Sequence, residues 1–357
     1  MTLQERINAF VKLGNFLSHF KKKGNENIHF DSKVSFYEIF NNLISNAFTH
    51  NPWFIENNIR LAIGAIADTL TLENLEKWLK HYPELKKELT NRKRVGVVMA
   101  GNIPLVGFHD MLSVLISGNI FIGKLSSKDN ELLKTIGEFL KFIQPEFKNY
   151  IFLIEGLLKN FDAIITTGSN NTSRYFEYYF GKYPNIIRKN RNSGAILSGN
   201  ETMNELRKLA DDIFQYFGLG CRNVSKLFVP ENYDFSIFFK AIEHYNFIYD
   251  HYKYANNYDY NKTIYLMNNI PFLDNGFVLL KEDHGFSSPI ASLYYQYYSN
   301  KKSLAEHLES HKNKIQCIVT SDKYFHVTIN WGKTQKPKLW DYADNIDTLK
   351  FLINLKN

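Results

Sequence analysis

Leu3, Ile7, Phe10, Val11 and Leu17 recur at the three- to four-residue spacing of an amphipathic helix. "TLENLEKWLKHYPELKKEL" continues that period, so residues 1 to about 90 read as helical. From Val95 the texture changes. "VGVVMA" is a short apolar strand, "GNIP" a turn, and "LVGFHDMLSVLIS" an apolar helix that Gly118-Asn119 stops, with Pro104 expected to open it. "IFIGKL" is the next strand and "DNELLKTIGEFLKFI" the next helix. "NYIFLIEG" and "FDAIITTG" are further strands, and "NTSRYFEYYFGK" is a helix with Ser169 or Asn170 as its cap. Strands alternating with helices of this length predict parallel βα units.

Past about residue 195 the rhythm loosens. "ELRKLADDIFQYFG" reads as a helix, "VSKLFVP" as a strand and "FSIFFKAIEHY" as a helix. "IASLYYQYY" and "NKIQCIVTSD" read as strands around a helix, "SLAEHLESH". No internal repeat or low-complexity linker interrupts the pattern. The expectation is an α/β protein of two α/β domains: a helical region over 1–90, a Rossmann-like domain over 91–196, a second domain over 197–320, and a return segment over 321–357.

A chain of 357 residues is long for one core, which agrees with two domains. The net charge of +7 comes from lysines spread along the chain rather than from a dense basic face, which argues against nucleic acid and suits a small anionic substrate. Two cysteines, Cys221 and Cys317, make no disulfide framework and no metal set. The polar-studded N-terminus does not read as a secretory leader, and no apolar run reaches the ~18 residues of a membrane span. A cytoplasmic location is expected.

Ligands of open parallel sheets sit at the carboxyl ends of the strands. Three loops fall there: "MAGNIP" at 99–104, "GKLSSKD" at 123–129 and "TTGSNN" at 166–171. A fourth stretch, "YFGLGCRNVSKLFV" at 216–229, puts Cys221 between a Gly-Leu-Gly and an arginine. A thiolate is a good nucleophile toward thioesters and aldehydes, and a nearby cation favours it. Cys317 lies inside an apolar strand, "KIQCIVTSD", and reads as a packed thiol.

The order of these features over about residues 90–330 resembles the aldehyde dehydrogenase superfamily. Asn-x-Pro after a strand, a helix ending in Gly-Asn, a strand ending in lysine, Thr-Gly-Ser, and then the cysteine about 50 residues later carry the likeness. "VGVVMAGNIPLVGFHDMLSVLISGN" with "RKNRNSGAIL" is most similar to the LuxC-type acyl-CoA reductases, the long-chain fatty acyl-CoA reductase branch. The resemblance implies the aldehyde-dehydrogenase-like fold, with the first 90 residues packed on a nicotinamide-binding domain. It implies that Cys221 is the nucleophile and that the Asn102 amide helps form the oxyanion hole. Lys124 matches the lysine at the adenosine ribose. Where NAD-preferring members place a glutamate three residues on, this chain has Ser127 and then Lys128, which implies NADPH rather than NADH. Thr167, Gly168 and Ser169 match the loop beside the pyrophosphate, and Glu282, in "LLKEDHGFSSPI", the glutamate at the nicotinamide ribose. His284 is a candidate proton donor, and His109 and Asp110 are candidates to cap the helix or face the pocket.

One departure carries information. Acid-forming members carry Glu-Leu-Gly-Gly-Lys, whose glutamate activates water; the corresponding stretch here begins with Arg188. A thioester reductase has no use for that water. The reading is therefore NADPH-dependent reduction of an acyl thioester, such as an acyl-CoA, to an aldehyde through an acyl-cysteine, in a homo-oligomer, with an acyl-protein ligase as a conceivable donor of the acyl group. Its rivals are a CoA-acylating aldehyde dehydrogenase running the reverse reaction, a non-reducing acyltransferase, and an interaction subunit that kept the fold.

Overall fold

A capping box opens the first helix: the Thr2 hydroxyl accepts the Glu5 N–H while the Glu5 carboxylate accepts the Thr2 N–H. The computed structural model describes residues 1–23, 34–87, 91–326 and 328–355. They divide into two compact units, Met1–Lys189 with Lys338–Asn357, and Asn190–Pro337.

In the first unit, helices α1 (Leu3–Ser18), α2 (Val34–His50), α3 (Glu56–Thr69) and α4 (Leu72–Leu79) precede the first strand. The order then runs β1 (Arg94–Val98), α5 (Phe108–Ile116), β2 (Ile120–Lys124), α6 (Glu131–Ile143), β3 (Ile151–Ile154), β4 (Ala163–Thr167), α7 (Asn170–Phe180) and β5 (Asn185–Arg188). The five strands form one parallel sheet in the order β3-β2-β1-β4-β5. Their carboxyl ends therefore share one edge, and the order reverses direction at β1/β4, where ligands of such sheets bind. The helical region shares its core with the sheet: Phe10 and Leu13 of α1, Ile63 of α3, Val95 and Val97 of β1 and Phe139 of α6 are one buried cluster. Phe16 stacks on Phe139 with ring centroids 4.0 Å apart.

The second unit contains β6 (Asn192–Ile196), α8 (Met203–Phe214), β7 (Val224–Pro230), α9 (Phe235–Ile242), α10 (Tyr252–Met267), β8 (Leu273–Asp274), β9 (Leu279–Glu282), β10 (Ser292–Tyr298), α11 (Lys301–Ser310) and β11 (Ile315–Val319). Its sheet runs β11-β6-β7-β10-β9-β8, parallel except for β8 against β9. β6 lies before the expected boundary at 196, yet it pairs with β7 and β11. A final helix, α12 (Thr348–Asn354), belongs to the first unit. Trp78 Nε1 donates to Tyr342 Oη at 2.7 Å, and Tyr82 Oη bonds both Tyr342 Oη (2.8 Å) and Asp347 (2.9 Å), which staples the return segment to α4.

One local expectation changes, and some elements are present that the pattern does not show. Pro104 does not open α5: Leu105 takes a left-handed backbone (φ 59), and the helix starts only at Phe108. β5 was not predicted, because "NIIR" is four residues hemmed by Pro184 and Lys189 and has no visible period. α10 was not predicted either. Its buried face is made of Tyr254, Tyr258, Asn261 and Tyr265, and tyrosine is apolar in body and polar at the tip, so no stripe stands out.

Candidate functional site

Three of the four sequence-marked segments lie on the first unit's carboxyl edge. Lys124 ends β2 level with Val98, the end of β1, and the Met99 N–H donates to the Lys124 carbonyl at 3.2 Å. Asn102 is exposed in the loop that follows. Gly101, just before it, is required by packing: a Cβ there would fall 2.3 Å from Ser126 Oγ and 3.2 Å from the Lys128 Cβ. The Leu105 N–H donates at 2.7 Å to Oδ2 of Asp129, a residue only 9% exposed. Burial pushes the Asp129 carboxyl up to about 7, with the Leu105 N–H pulling the other way.

Ser127 and Lys128 are exposed and Lys124 is half-buried, and among the described residues none of these lysines pairs with a carboxylate. Lys124 ends β2 and Lys128 follows in the loop after it, at the carboxyl edge of the sheet. Thr167 ends β4. Ser169 is the N-cap of α7, its Oγ accepting the Thr172 N–H at 3.2 Å. Gly168 packs close to Thr172 and Phe176, each near 3 Å from where a Cβ would sit.

Arg188 ends β5, level with Thr167, and turns inward. It is 4% exposed and holds Asp110 with both terminal nitrogens, at 2.6 and 2.9 Å, while Nη2 also donates to Thr348 Oγ1 at 2.9 Å. Asp110 is thereby committed to a buried ion pair with Arg188. His109 joins the same packing: its Nε2–H donates to the Leu339 carbonyl at 2.9 Å, and its ring lies against Trp78 and Tyr342.

In the second unit Cys221 is exposed on the turn between α8 and β7. The approach to it is strained: Tyr216 and Phe217 both have left-handed backbones (φ 55 and 58), held by burial of their rings, with Phe217 against His251 at 4.4 Å. Gly218 follows with φ +74. Asn223 then pins the turn. Its Nδ2 donates to the carbonyls of Asp212, Ile213 and Gln215 at 2.8–3.2 Å, and its Oδ1 accepts the Gly220 N–H at 2.9 Å. Carbonyls at a helix C-terminus have no partner within the helix, and this buried amide supplies one. On the other side, Ser193 Oγ donates to the Cys221 carbonyl at 2.9 Å.

The same Ser193 Oγ lies 3.0 Å from Cys317 Sγ. Its one proton goes to the Cys221 carbonyl, so the thiol donates. Cys317 keeps the packed character read from its strand: burial pushes it up to about 11, against the pull of the Arg222 charge, so it stays a thiol at neutral pH. Its closeness to the Cys221 turn, and the roles of Ser193 and Asn223, are invisible in the sequence, because β11 and β6 meet only on folding.

Glu282 ends β9, exposed. The register sets it level with Tyr295 and, one strand on, with Leu227 in mid-β7, whereas Cys221 precedes the first residue of β7. Next to it, the buried Lys226 Nζ donates to the Asp283 carbonyl, and Lys281 pairs with the Asp283 carboxylate at 2.6 Å. Burial lowers Lys226 to about 8, offset by the charges of Asp283 and Glu282. His284 is exposed. No group of three or more metal-ligating side chains occurs among the described residues, and no helix among them is long and apolar enough to cross a membrane.

Residues 71–238, which include Asn102, Lys124, Ser127, the 167–169 loop and Cys221, match the family model for acyl-CoA reductase (LuxC). No curated protein matches the sequence. Among solved structures, the NAD-dependent aldehyde dehydrogenase of Sinorhizobium meliloti is similar with a TM-score of 0.63 at 12% identity, over 94% of this chain and 72% of that one. Aldehyde dehydrogenase 21 of Physcomitrella patens, solved with the product succinate, is similar with a TM-score of 0.60 at 13% identity, over 99% of this chain and 89% of that one. At such identities the likeness is one of fold. Just under half of the chain, residues 71–238, is thus similar to the LuxC acyl-CoA reductases, within a fold like that of the aldehyde dehydrogenases.

Proposed function

We propose that the chain reduces an acyl thioester, an acyl-CoA in the simplest case, to an aldehyde, and that NADPH is its preferred reductant. The observation that carries this reading is the exposed Cys221 on its pinned turn, inside the segment that matches the acyl-CoA reductase family. Cys221 attacks the thioester carbonyl, the carbonyl oxygen takes up the charge, and the thiolate of CoA leaves with the acyl group on Sγ. The role assigned to the Asn102 amide is to donate to that oxygen as charge develops. A reduced nicotinamide, when bound, supplies the hydride that brings the acyl group to the aldehyde level; the C–Sγ bond then breaks, freeing the aldehyde and returning Cys221 as a thiolate. Lys124, Ser127 and Lys128 are the residues proposed to hold its adenosine end, with no acidic side chain at Ser127 to repel a 2′-phosphate. Thr167, Gly168 and Ser169 are proposed to border its pyrophosphate, and Glu282 to meet its second ribose on resemblance alone.

Arg188 explains why the acyl group is not lost to water. At the position where acid-forming relatives hold a glutamate, its guanidinium is always protonated and committed to Asp110. A general base contributes about 10²–10⁴-fold to such a proton transfer. Without reduced cofactor, the protein should release about one equivalent of CoA and then nearly stop. Intact-mass spectrometry should show the acyl adduct on Cys221. NADPH should clear it to aldehyde faster than NADH does. Continuous CoA release with free acid accumulating would overturn the reading.

A further inference from the structure

We propose that Asp129 is a positioning residue for Asn102: its buried carboxylate, at the end of the loop after β2, holds the 99–105 loop in the shape that aims the Asn102 amide. The inference rests on the oxyanion role proposed for Asn102.

Asn102 is bracketed by the 126–129 loop on both sides. Three residues after it, Leu105 sits in a left-handed conformation that a leucine rarely keeps unless its surroundings enforce it, and its N–H goes to Asp129 Oδ2 at 2.7 Å. One residue before it, Gly101 lies so close to Ser126 that no side chain fits between them. The 126–129 loop is itself fastened. The Asp129 N–H donates to the Ser126 carbonyl at 3.1 Å, the Lys128 N–H donates to Ser126 Oγ at 3.3 Å, and Asn51 Nδ2 donates to the Lys128 carbonyl at 3.2 Å. Asp129 is an expensive choice for this place. Its second oxygen, Oδ1, is buried with no hydrogen-bond partner among the described residues, and burying a carboxyl so poorly satisfied is unfavourable. What it gives in return is one strong acceptor for the Leu105 N–H, at the point where the chain leaves the Asn102 loop for α5.

The test pairs amide hydrogen exchange over residues 99–107 with steady-state kinetics on the full chain. Asp129→Ala should speed exchange in that segment and lower kcat about 10- to 100-fold, the cost of misplacing a catalytic group by about 1 Å, with KM for the thioester little changed. Asp129→Asn keeps an oxygen for the Leu105 N–H and should keep slow exchange and most of kcat. If Asp129→Ala does not fold, Gly101→Ala serves instead. It drives the same loops apart at Ser126 and should give the same signature, and adding Ser126→Gly should recover it. Parental exchange and parental kcat in a folded Asp129→Ala or Gly101→Ala would overturn the proposal, as would an Asp129→Asn variant as impaired as Asp129→Ala. If the parent protein makes no aldehyde from any thioester, the reaction assignment falls, and exchange over 99–107 alone decides whether Asp129 holds the loop.

Discussion

The turn that carries Cys221 and the loop that carries Asn102 are built alike and pinned differently. Both contain bulky residues in left-handed backbone, Tyr216 and Phe217 in one and Leu105 in the other. Both are fixed by one buried polar side chain. For Cys221 that side chain is the Asn223 amide, which has donors for helix-end carbonyls and an acceptor for Gly220, and which does not titrate. For Asn102 it is the Asp129 carboxyl, half satisfied and pushed by burial up to about 7. The comparison teaches that the side chain pinning the turn of the proposed nucleophile does not itself titrate, whereas the one at the loop of the proposed oxyanion donor is a carboxyl that burial pushes up to about 7.

The largest expected effect lies at the proposed nucleophile. Cys221→Ala should reduce aldehyde formation to background, while Cys317→Ala keeps most of it, since a thiol raised to about 11 is not an attacking group. An inactive Cys317→Ala beside an active Cys221→Ala would move the chemistry to β11. Next, Asn102→Ala should lower kcat about 10²–10³-fold with a much smaller change in KM. A raised KM at normal kcat would leave Asn102 only a shaping role.

The third effect tests the titrating pin directly. The folded-state pKa of Asp129, about 7, lies above the value of about 3.9 in an unfolded chain. Its contribution to stability is thus fully present below about pH 4 and is lost as pH rises through 7. Asp129→Asn has no such loss. Urea unfolding should therefore show the variant gaining on the parent between pH 4 and 7, by up to about 4 kcal/mol, and no further above about pH 8. A difference that does not vary with pH would show that Asp129 is not the titrating pin. The smallest effect belongs to the neutral pin: Asn223→Ala strands buried carbonyls and should cost about 1–3 kcal/mol of stability at every pH. A pH-dependent loss there would erase the contrast between the two loops.

Much of this was legible in the chain because it is local. "VGVVMA", "IFIGKL" and "FDAIITTG" are apolar runs bounded by turn residues, and they fold as β1, β2 and β4. The order of Asn102, Lys124, the Thr-Gly-Ser loop and Cys221 carried the family resemblance. Where a strand was too short to show a period, as in "NIIR", or a helix buried tyrosines rather than aliphatics, as in α10, local patterning gave no sign.

The sequence by itself determined the alternation of strand and helix, and thereby which loops would gather at the carboxyl edge of the first sheet. It also determined the absence of a glutamate at Arg188 and the contrast between an exposed-looking Cys221 and a strand-bound Cys317. Only the tertiary structure decided what each polar residue spends its hydrogen bonds on: Arg188 on Asp110, Ser193 on Cys221 and Cys317, Asn223 on the end of α8, Asp129 on Leu105. The reason is physical. Period and turn chemistry act between neighbours a few residues apart, whereas a buried donor or acceptor must be satisfied by whatever the fold brings within about 3 Å, and those partners here lie 8 to 160 positions away along the chain.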